Sequence, residues 1–452
     1  MPSGKARTSS LAYIEGEARG QHTLFPSTLD DLIAADHVCR VIEAFVGRLD
    51  FADLGFVRAE PAETGRPGYD PRDLMKLYLY GYLHQVRSSR RLEAECRRNV
   101  ELMWLLARLT PDYKSIAEFR RLHREAVKRA GAELVRFARQ VGLVRGEWIA
   151  IDGSKFRAVS SASGVRERDA VERYLAELEQ ADGREEIVID HGATAMALEK
   201  LKSHREPQAG FMKTNDGKRP AYNVQTAVDA EQALIVAHQV TTAGNDLHCL
   251  QPMAEAAQAA VGAPQTMHVV ADMGYSNAEQ VAACEQQGIV AHVPPQRSRN
   301  NQGDGGLFAP GEFFYDDQTD TYRCPAGKTL KKVQLQKDRK RLAYKAQRQD
   351  CEHCPLKPQC TQTKRRRVYR MLHEEVLACM QQRATPEAMR LRRSLVELPF
   401  AFLKYCIFGH PRLLLRGVAG AETEISLGVL GYNLKRIMRV LGARQLVAAL
   451  AA

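Results

Sequence analysis

No apolar run in this sequence approaches the roughly 20 residues that a membrane-spanning helix needs. The opening stretch, MPSGKARTSS, carries no apolar segment of signal-peptide type, so a cytoplasmic location is expected. Cysteine is sparse, ten in 452 residues, which excludes a disulfide-dense secreted scaffold and implies reduced thiols. Acidic residues are scarce in one place only. Between Cys324 and Arg370 stand 15 Lys and Arg against three Asp and Glu, a net +12, while the rest of the chain has 50 against 51. The overall charge of +11 therefore resides in about a tenth of the sequence. A basic patch this concentrated implies a polyanion partner, with nucleic acid foremost. A solvated basic loop is the alternative, but the interleaved Leu335, Leu342, Tyr344, Val368 and Tyr369 favour a folded segment.

The length allows two or three domains. Residues 27–145 read as helical. In GRPGYDPRDLMKLYLYGYLHQV, Asp70 suits an N-cap, Pro71 the first helical position and Asp73 the positive end of the dipole. Leu74, Leu77, Tyr78 and Tyr82 then repeat at helical spacing. A capping box, Ser115 with Glu118, is expected to open one long helix running to about Leu143. Arg87, Arg90, Arg91, Arg97 and Arg98 either face DNA or solvate a bundle. From Glu147 the pattern changes. EWIAID, TMHVVAD and IVAHVPP read as strands, AYNVQTAVDAEQALIVAHQV as a hairpin, and HCLQPMAEAAQAAVG and NAEQVAACEQQG as helices. Further helices are expected over RDAVERYLAELEQ and TAMALEKLKSH, a loop over RSRNNQGDGG, and helices again from about Pro386. This order indicates a mixed α/β unit.

Two apolar runs end in an acid in the same way, at Asp152 and Asp272, and small residues follow each (Gly153 and Ser154; Gly274). Strand ends are where α/β sheets present their chemistry. Two carboxylates in one cleft repel, a divalent cation relieves the repulsion, and Mg²⁺ favours such oxygen ligands. Asp190 and Asp229 also end apolar runs, but Asp229 sits where a hairpin turn gives it a local reason. In RLRRSLVELPFAFLKY, Arg393, Glu397 and Lys404 are spaced by four and seven residues and share one face of a continuous helix. Taken alone, the first two are better explained as an ordinary surface Arg–Glu pair, and Pro399, which removes a backbone donor and can kink the axis, weakens the shared face before Lys404.

Together these segments resemble a bacterial insertion-sequence transposase of the DDE type, in the subgroup with an N-terminal helical domain and a cysteine-bearing insertion. The matching stretches are IDGSKFRA, ADMGYSN, and a Tyr-x2-Arg-x3-Glu-x6-Lys signature met by Arg393, Glu397 and Lys404, with Arg390 in place of the Tyr. GRPGYDPRDLMKLYLYGYLHQVRSSRRLE, PAYNVQTAVDA, RCPAGKTL and LLRGVAGAETEISLGVLGYNLKRIMRVLG extend the likeness from about residue 20 to the end. The resemblance implies an α/β RNase H-like core, a mixed sheet flanked by helices, with Asp152 on the first strand, Asp272 after the fourth and Glu397 on a late helix. It implies residues 1–145 as an all-α DNA-binding and assembly domain. It further implies 146–300 and 375–452 as the two parts of the core, and 301–374 as the basic insertion before the last acid. It implies that Asp152, Asp272 and Glu397 hold two Mg²⁺ (or Mn²⁺) ions, typically ~3.5–4 Å apart, for cutting element ends and joining them to target DNA. Arg393 and Lys404 would hold phosphates, with Lys155, Arg157, Lys364, Arg365, Arg366 and Arg367 as further DNA contacts. The expected partners are terminal inverted repeats and target DNA, on a homodimer, in the bacterial cytoplasm at the nucleoid and without a membrane.

Cys324, Cys351, Cys354 and Cys360 stand in RCPAG and DCEHCPLKPQC. The Cys351-x2-Cys354 spacing suits a structural Zn²⁺ site that the other two would complete, and four reduced packing cysteines are the alternative. Cys39, Cys96, Cys249, Cys284, Cys379 and Cys406 read as small core residues. Two competing functions stay open: an inactive DNA-binding derivative of a transposase, and a metal-dependent phosphohydrolase of small esters.

Overall fold

The structure, a computed structural model, describes residues 28–60, 68–160, 206, 208–214, 216–262, 266–294, 307–336, 341–371 and 374–452, with single residues 173 and 196. Asp190, the two helices expected between 168 and 204, and the 297–306 loop lie outside the described residues.

Among the described residues, six α-helices precede the first strand: α1 (Val38–Arg48), α2 (Pro71–Leu83), α3 (Ser89–Cys96), α4 (Val100–Leu105), α5 (Tyr113–Leu122) and α6 (Arg124–Gln140). Helix α2 starts as its sequence dictates, with the Asp70 side chain accepting from Arg72 N–H and Pro71 in the first turn. The 115–143 helix expected from the sequence is two helices. Asp112, not Ser115, caps the first of them, accepting from the amides of Lys114 and Ser115, so Ser115 is already helical. The break falls at His123, whose ring packs against Phe56 and Phe119 and hydrogen-bonds to Phe119 O (2.9 Å). Tertiary packing of one aromatic ring outweighs continuous amphipathicity here.

The first sheet is mixed. Its strands β1 (Trp148–Arg157), β2 (Gly210–Thr214), β3 (Gly217–Asp229), β4 (Ile235–Thr241), β5 (Met267–Val270) and β6 (Ile289–His292) are ordered β2-β3-β1-β5-β6, with β4 also on β3. β3 pairs antiparallel to β1, β2 and β4, whereas β1, β5 and β6 run parallel. The β3–β4 hairpin turns at Asp229, which accepts from Gly146 N–H (2.8 Å) and Glu231 N–H (2.9 Å), the local role that its position suggests. β2 is not legible in the sequence, so among the described residues Asp272 follows the fifth strand and not the fourth. In β1, Ile149, Ala150 and Ile151 are all fully buried, so both faces of the strand are covered. Helix α7 (Leu250–Val261) packs on β1, β3 and β4, helix α8 (Ala278–Gln286) on β6, and the long α13 (Gly417–Leu441) on β4 and on the N-terminal helices α2 and α6. A mixed sheet with flanking helices fits the RNase H-like expectation. The helices before β1 share one continuous apolar core with this sheet.

The basic segment folds as a second, antiparallel sheet, β11-β10-β9-β8-β7. Its strands are β7 (Phe314–Asp316), β8 (Thr321–Arg323), β9 (Thr329–Gln336), β10 (Arg341–Lys345) and β11 (Arg367–Met371), with the short helices α9 (Arg348–Glu352) and α10 (Lys357–Cys360) between the last two strands. It has a separate small core of Phe313, Tyr322, Leu330, Tyr344, Ala346 and Val368. The chain then returns to the first sheet through α11 (Glu374–Arg383), α12 (Pro386–Ala401), a π-helical turn (Phe402–Ile407), α13 and α14 (Ala443–Ala451). No described helix is long and apolar enough to cross a membrane.

Candidate active site

The parallel register of β1 and β5 pairs Trp148 with His268, Ile149 with Val269 and Ala150 with Val270. Asp152 and Asp272 stand two residues beyond the last pair of this register, and both carboxylates reach one guanidinium, that of Arg392. The two acids arrive differently. Asp152 is not at a strand end, because β1 continues through Arg157 while paired with β3. Asp272 lies beyond β5, where its carboxylate accepts from Gly274 N–H (2.7 Å) and caps a short 3₁₀ turn.

Arg392, on α12, reaches between them. Its Nη2 donates to Asp152 Oδ1 at 2.7 Å and stands 3.5 Å from Asp272 Oδ2. Burial raises the Asp152 carboxyl above its ordinary range; Arg392 acts against this and the neighbouring Asp272 adds to it. Lys404 comes into the field of the same acid from the π-helical turn. Burial lowers its ammonium and Asp152 raises it, while its Nζ lies 5.8 Å from the Phe156 ring centroid. The helix expected across Pro399 thus continues, with a π turn just after the proline, a usual place for such a distortion.

Glu397 lies on α12 between Arg392 and Lys404 in sequence and is exposed, as is Arg393. Among the described residues, the contact to both aspartates is made by Arg392 and not by Glu397. Arg392 falls outside the Arg393–Glu397–Lys404 spacing. Its signal was its place on the apolar stripe of Leu395, Val396 and Pro399, where an unpaired cation is costly.

A third carboxylate, Asp246, stands close by and no motif announces it. Its Oδ1 accepts from Asn223 Nδ2 (2.7 Å) and Gln225 Nε2 (2.6 Å), both on β3, and lies 3.6 Å from Lys155 Nζ. The fully buried Tyr275 donates to Gln225 Oε1. Burial raises the Tyr275 hydroxyl far above its ordinary value, and the charges of Asp246, Asp152 and Asp272 add to this. The glycines are explained by this network. A Cβ on Gly153 would lie 2.3 Å from Gln225 Nε2 and 2.7 Å from Asp246 Oδ1; one on Gly274 would lie 2.9 Å from Asp272 Oδ1 and 3.8 Å from Asp246 Oδ2. Gly153 therefore makes room for a neighbouring amide and carboxylate.

Lys155 and Arg157 alternate with Asp152 along β1 and so leave from the opposite face. Lys155 meets Asp246, and Arg157 pairs with Asp216 at 3.0 Å. In the insertion Lys364, Arg365 and Arg367 are exposed. Arg366 is a correction to the basic run: it is buried, donates to Cys360 O (2.6 Å) and Phe308 O (2.8 Å), and stacks over Phe313. Its guanidinium is used in holding the insertion together.

Cys324, Cys351, Cys354 and Cys360 line one small cavity. Lys328 N–H donates to Cys324 Sγ at 3.3 Å, and burial raises the Cys360 thiol. The four sulfurs are not drawn tightly together. Among the described residues, the ligand atoms that come within 4.8 Å of one another in a group of three belong to His37, Cys39 and Glu101. There, Glu101 is already engaged by His37 (3.4 Å) and the Tyr80 hydroxyl (2.7 Å). Of the six other cysteines, Cys39, Cys96, Cys249 and Cys284 are buried as expected; Cys379 and Cys406 are exposed.

Residues 27–122 match a family model described as a transposase domain (DUF772), and residues 323–438 match one described as a transposase DDE domain. No curated protein matches the chain. Among solved structures, a piggyBac transposase synaptic complex with hairpin DNA aligns over 92% of this chain and 78% of that one, at 7% identity and a TM-score of 0.33. The two family models flank the acid pair and take in the helix that carries Arg392, and by them the chain belongs to the insertion-sequence DDE transposases.

Proposed function

We propose that this transposase cuts DNA at the ends of its element and joins them to target DNA, with Asp152, Asp272 and Glu397 as the acids of one active site. The observation that carries the reading is the meeting of Asp152 and Asp272 across β1 and β5, with a cation from the C-terminal helix between them. The donor set suits a divalent cation: two carboxylates side by side already share a positive group, and their hard oxygens favour Mg²⁺ or Mn²⁺. Bound there, two such ions would activate water or a DNA 3′-hydroxyl and stabilise the leaving oxygen. Asp152 would supply a ligand from β1, Asp272 one from the turn beyond β5, and Glu397 an exposed one from α12. Arg393 and Lys404 would hold strand phosphates beside the acids. Lys364, Arg365 and Arg367 would bind backbone away from the centre, giving salt-sensitive affinity without sequence choice. The N-terminal helices would serve end binding and assembly, on a homodimer that brings two ends together. In the insertion the four cysteines would take Zn²⁺. Four thiolates leave no open position for catalysis, so that ion would be structural.

The test is cutting of DNA carrying the element's terminal inverted repeats, with Mg²⁺ or Mn²⁺. Asp152→Asn, Asp272→Asn and Glu397→Gln should each keep end binding and lose cutting by at least about 10³-fold, as removal of a group essential to the transition state does. Wild-type cutting by any one of them removes that residue from the assignment.

A further inference from the structure

The guanidinium of Arg392 occupies the space between two acids that, in the function proposed above, bind metal. Its Nη2 lies 2.7 Å from Asp152 Oδ1 and 3.5 Å from Asp272 Oδ2, and the side chain is only 15% exposed. Arginine cannot shed its proton in a protein, so this positive charge is permanent. A pair of adjacent carboxylates needs a counter-charge to remain ionised together, and Arg392 supplies one from within the fold. The same Asp152 oxygen cannot accept a short charged hydrogen bond from Arg392 and also face a metal ion in that position. The Arg392 pose is incompletely satisfied as well: Nε is buried and has no hydrogen-bond partner among the described residues. A buried donor left unpaired carries a cost, which a phosphate oxygen would remove, because the guanidinium fork suits phosphate.

We infer that Arg392 is a positioning residue that serves as a built-in counter-cation for Asp152 and Asp272 and exchanges with the metal, leaving Asp152 when a divalent cation binds. Metal and arginine then compete for one carboxylate, and the displaced guanidinium becomes available to the DNA backbone. This rests on the reading of Asp152 and Asp272 as metal ligands, and the measurement separates the two claims.

Mn²⁺ affinity of the full-length protein is measured without DNA, from the electron paramagnetic resonance signal of free Mn²⁺, for wild type, Arg392→Gln, Arg392→Lys and Asp152→Asn. If arginine and metal compete, Arg392→Gln binds Mn²⁺ more tightly, on the order of ten-fold, the usual size of a coupling between two ligands. In EDTA the same variant melts below wild type, and added Mn²⁺ closes that gap. Arg392→Lys keeps the charge without the fork and shows a smaller gain in affinity. Unchanged or weaker Mn²⁺ binding in Arg392→Gln overturns the exchange, since a residue that merely shapes the site would lower affinity when removed. Should Arg392→Gln fail to fold, weaker binding by Arg392→Lys overturns it in the same way. If Asp152→Asn binds Mn²⁺ as wild type does, the metal-site reading itself fails, whatever Arg392 does.

Discussion

Asp246 is the residue whose role changes most once the fold is known. Its carboxylate is held by two side-chain amides from β3 and stands beside the glycine that follows Asp272. Replacing it by Asn keeps the shape but sets an amide group against the donors of Asn223 and Gln225. The expected result is a melting point lower by a few degrees, corresponding to about 1–2 kcal/mol for hydrogen bonds to a charged acceptor. Cutting should fall further than stability does, because the Gln225–Tyr275 hydrogen bond beside Asp272 depends on the same network. Calorimetry run beside the cutting assay separates the two effects; equal loss in both would make Asp246 purely structural. His238 gives a pH signature. Burial lowers its imidazole to about 3, and Ser426 Oγ lies 2.8 Å from Nε2. Above about pH 6.5 the ring is neutral in both folded and unfolded chains and has no pH-linked effect. As pH falls from there toward 3, only the unfolded chain takes up the proton, so stability is lost. The ring borders a groove open to solvent, so a discounted loss of about 1 kcal/mol is expected at pH 5. His238→Gln should flatten the melting-temperature profile between pH 7 and 5.

At the scale of elements, β1 shows what the sequence makes legible. Its apolar run and Asp152 are plain from the pattern, as are the β3–β4 hairpin and the start of α2, because each depends on neighbours a few residues away. What is hidden depends on partners far along the chain. The continuation of β1 through Lys155 and Arg157 is set by pairing with β3 and a bridge to Arg412, and the break at His123 is set by Phe56. Arg392 is hidden for the same reason, since only the crossing of α12 over β1 and β5 brings it to the acids. The small residue after Asp152 is visible in sequence, but the reason for it is not. A methyl group at Gly153 would be driven into Gln225 and Asp246. Gly153→Ala should therefore cost about 1–3 kcal/mol by overpacking, read as a lower denaturant midpoint with an unchanged slope.

For the whole molecule, the insertion and the rest of the chain are stabilised by different means. Five strands around six buried side chains make a small core, of the size that usually needs a staple. Zn²⁺ held by the four cysteines that line one cavity, as proposed above, would be such a staple. Cys354→Ser, or prolonged chelation, should abolish hydrogen-exchange protection in β8, β9 and β10 and leave β1 and β3 protected. Simultaneous loss in both sheets would show that the two cores unfold as one. Wild-type protection in the variant, together with no zinc in elemental analysis, would leave the cysteines as packing residues. The remainder is joined by a buried ion pair. Arg87 donates to Glu424 Oε2 at 3.1 Å, while the other oxygen of Glu424 accepts the amides of Leu414 (2.6 Å) and Leu415 (2.5 Å). Burial raises this carboxyl, and Arg120 and Arg87 oppose the rise. Arg87→Met should destabilise by about 3–5 kcal/mol, the usual cost of stranding a buried charge, and Arg87→Met with Glu424→Gln by less.

The packing of α13 against α2 and α6, and of α14 against α1, has a consequence for how the protein is made. On the ribosome α1, α2 and α6 emerge before α13 and α14, so the apolar faces that these later helices cover are at first open. The core that α2 and α6 share with α13 closes only once α13 has been made. A chain cut before Gly417 is therefore expected to leave the apolar faces of α2 and α6 uncovered and to be degraded faster than the intact chain in limited proteolysis.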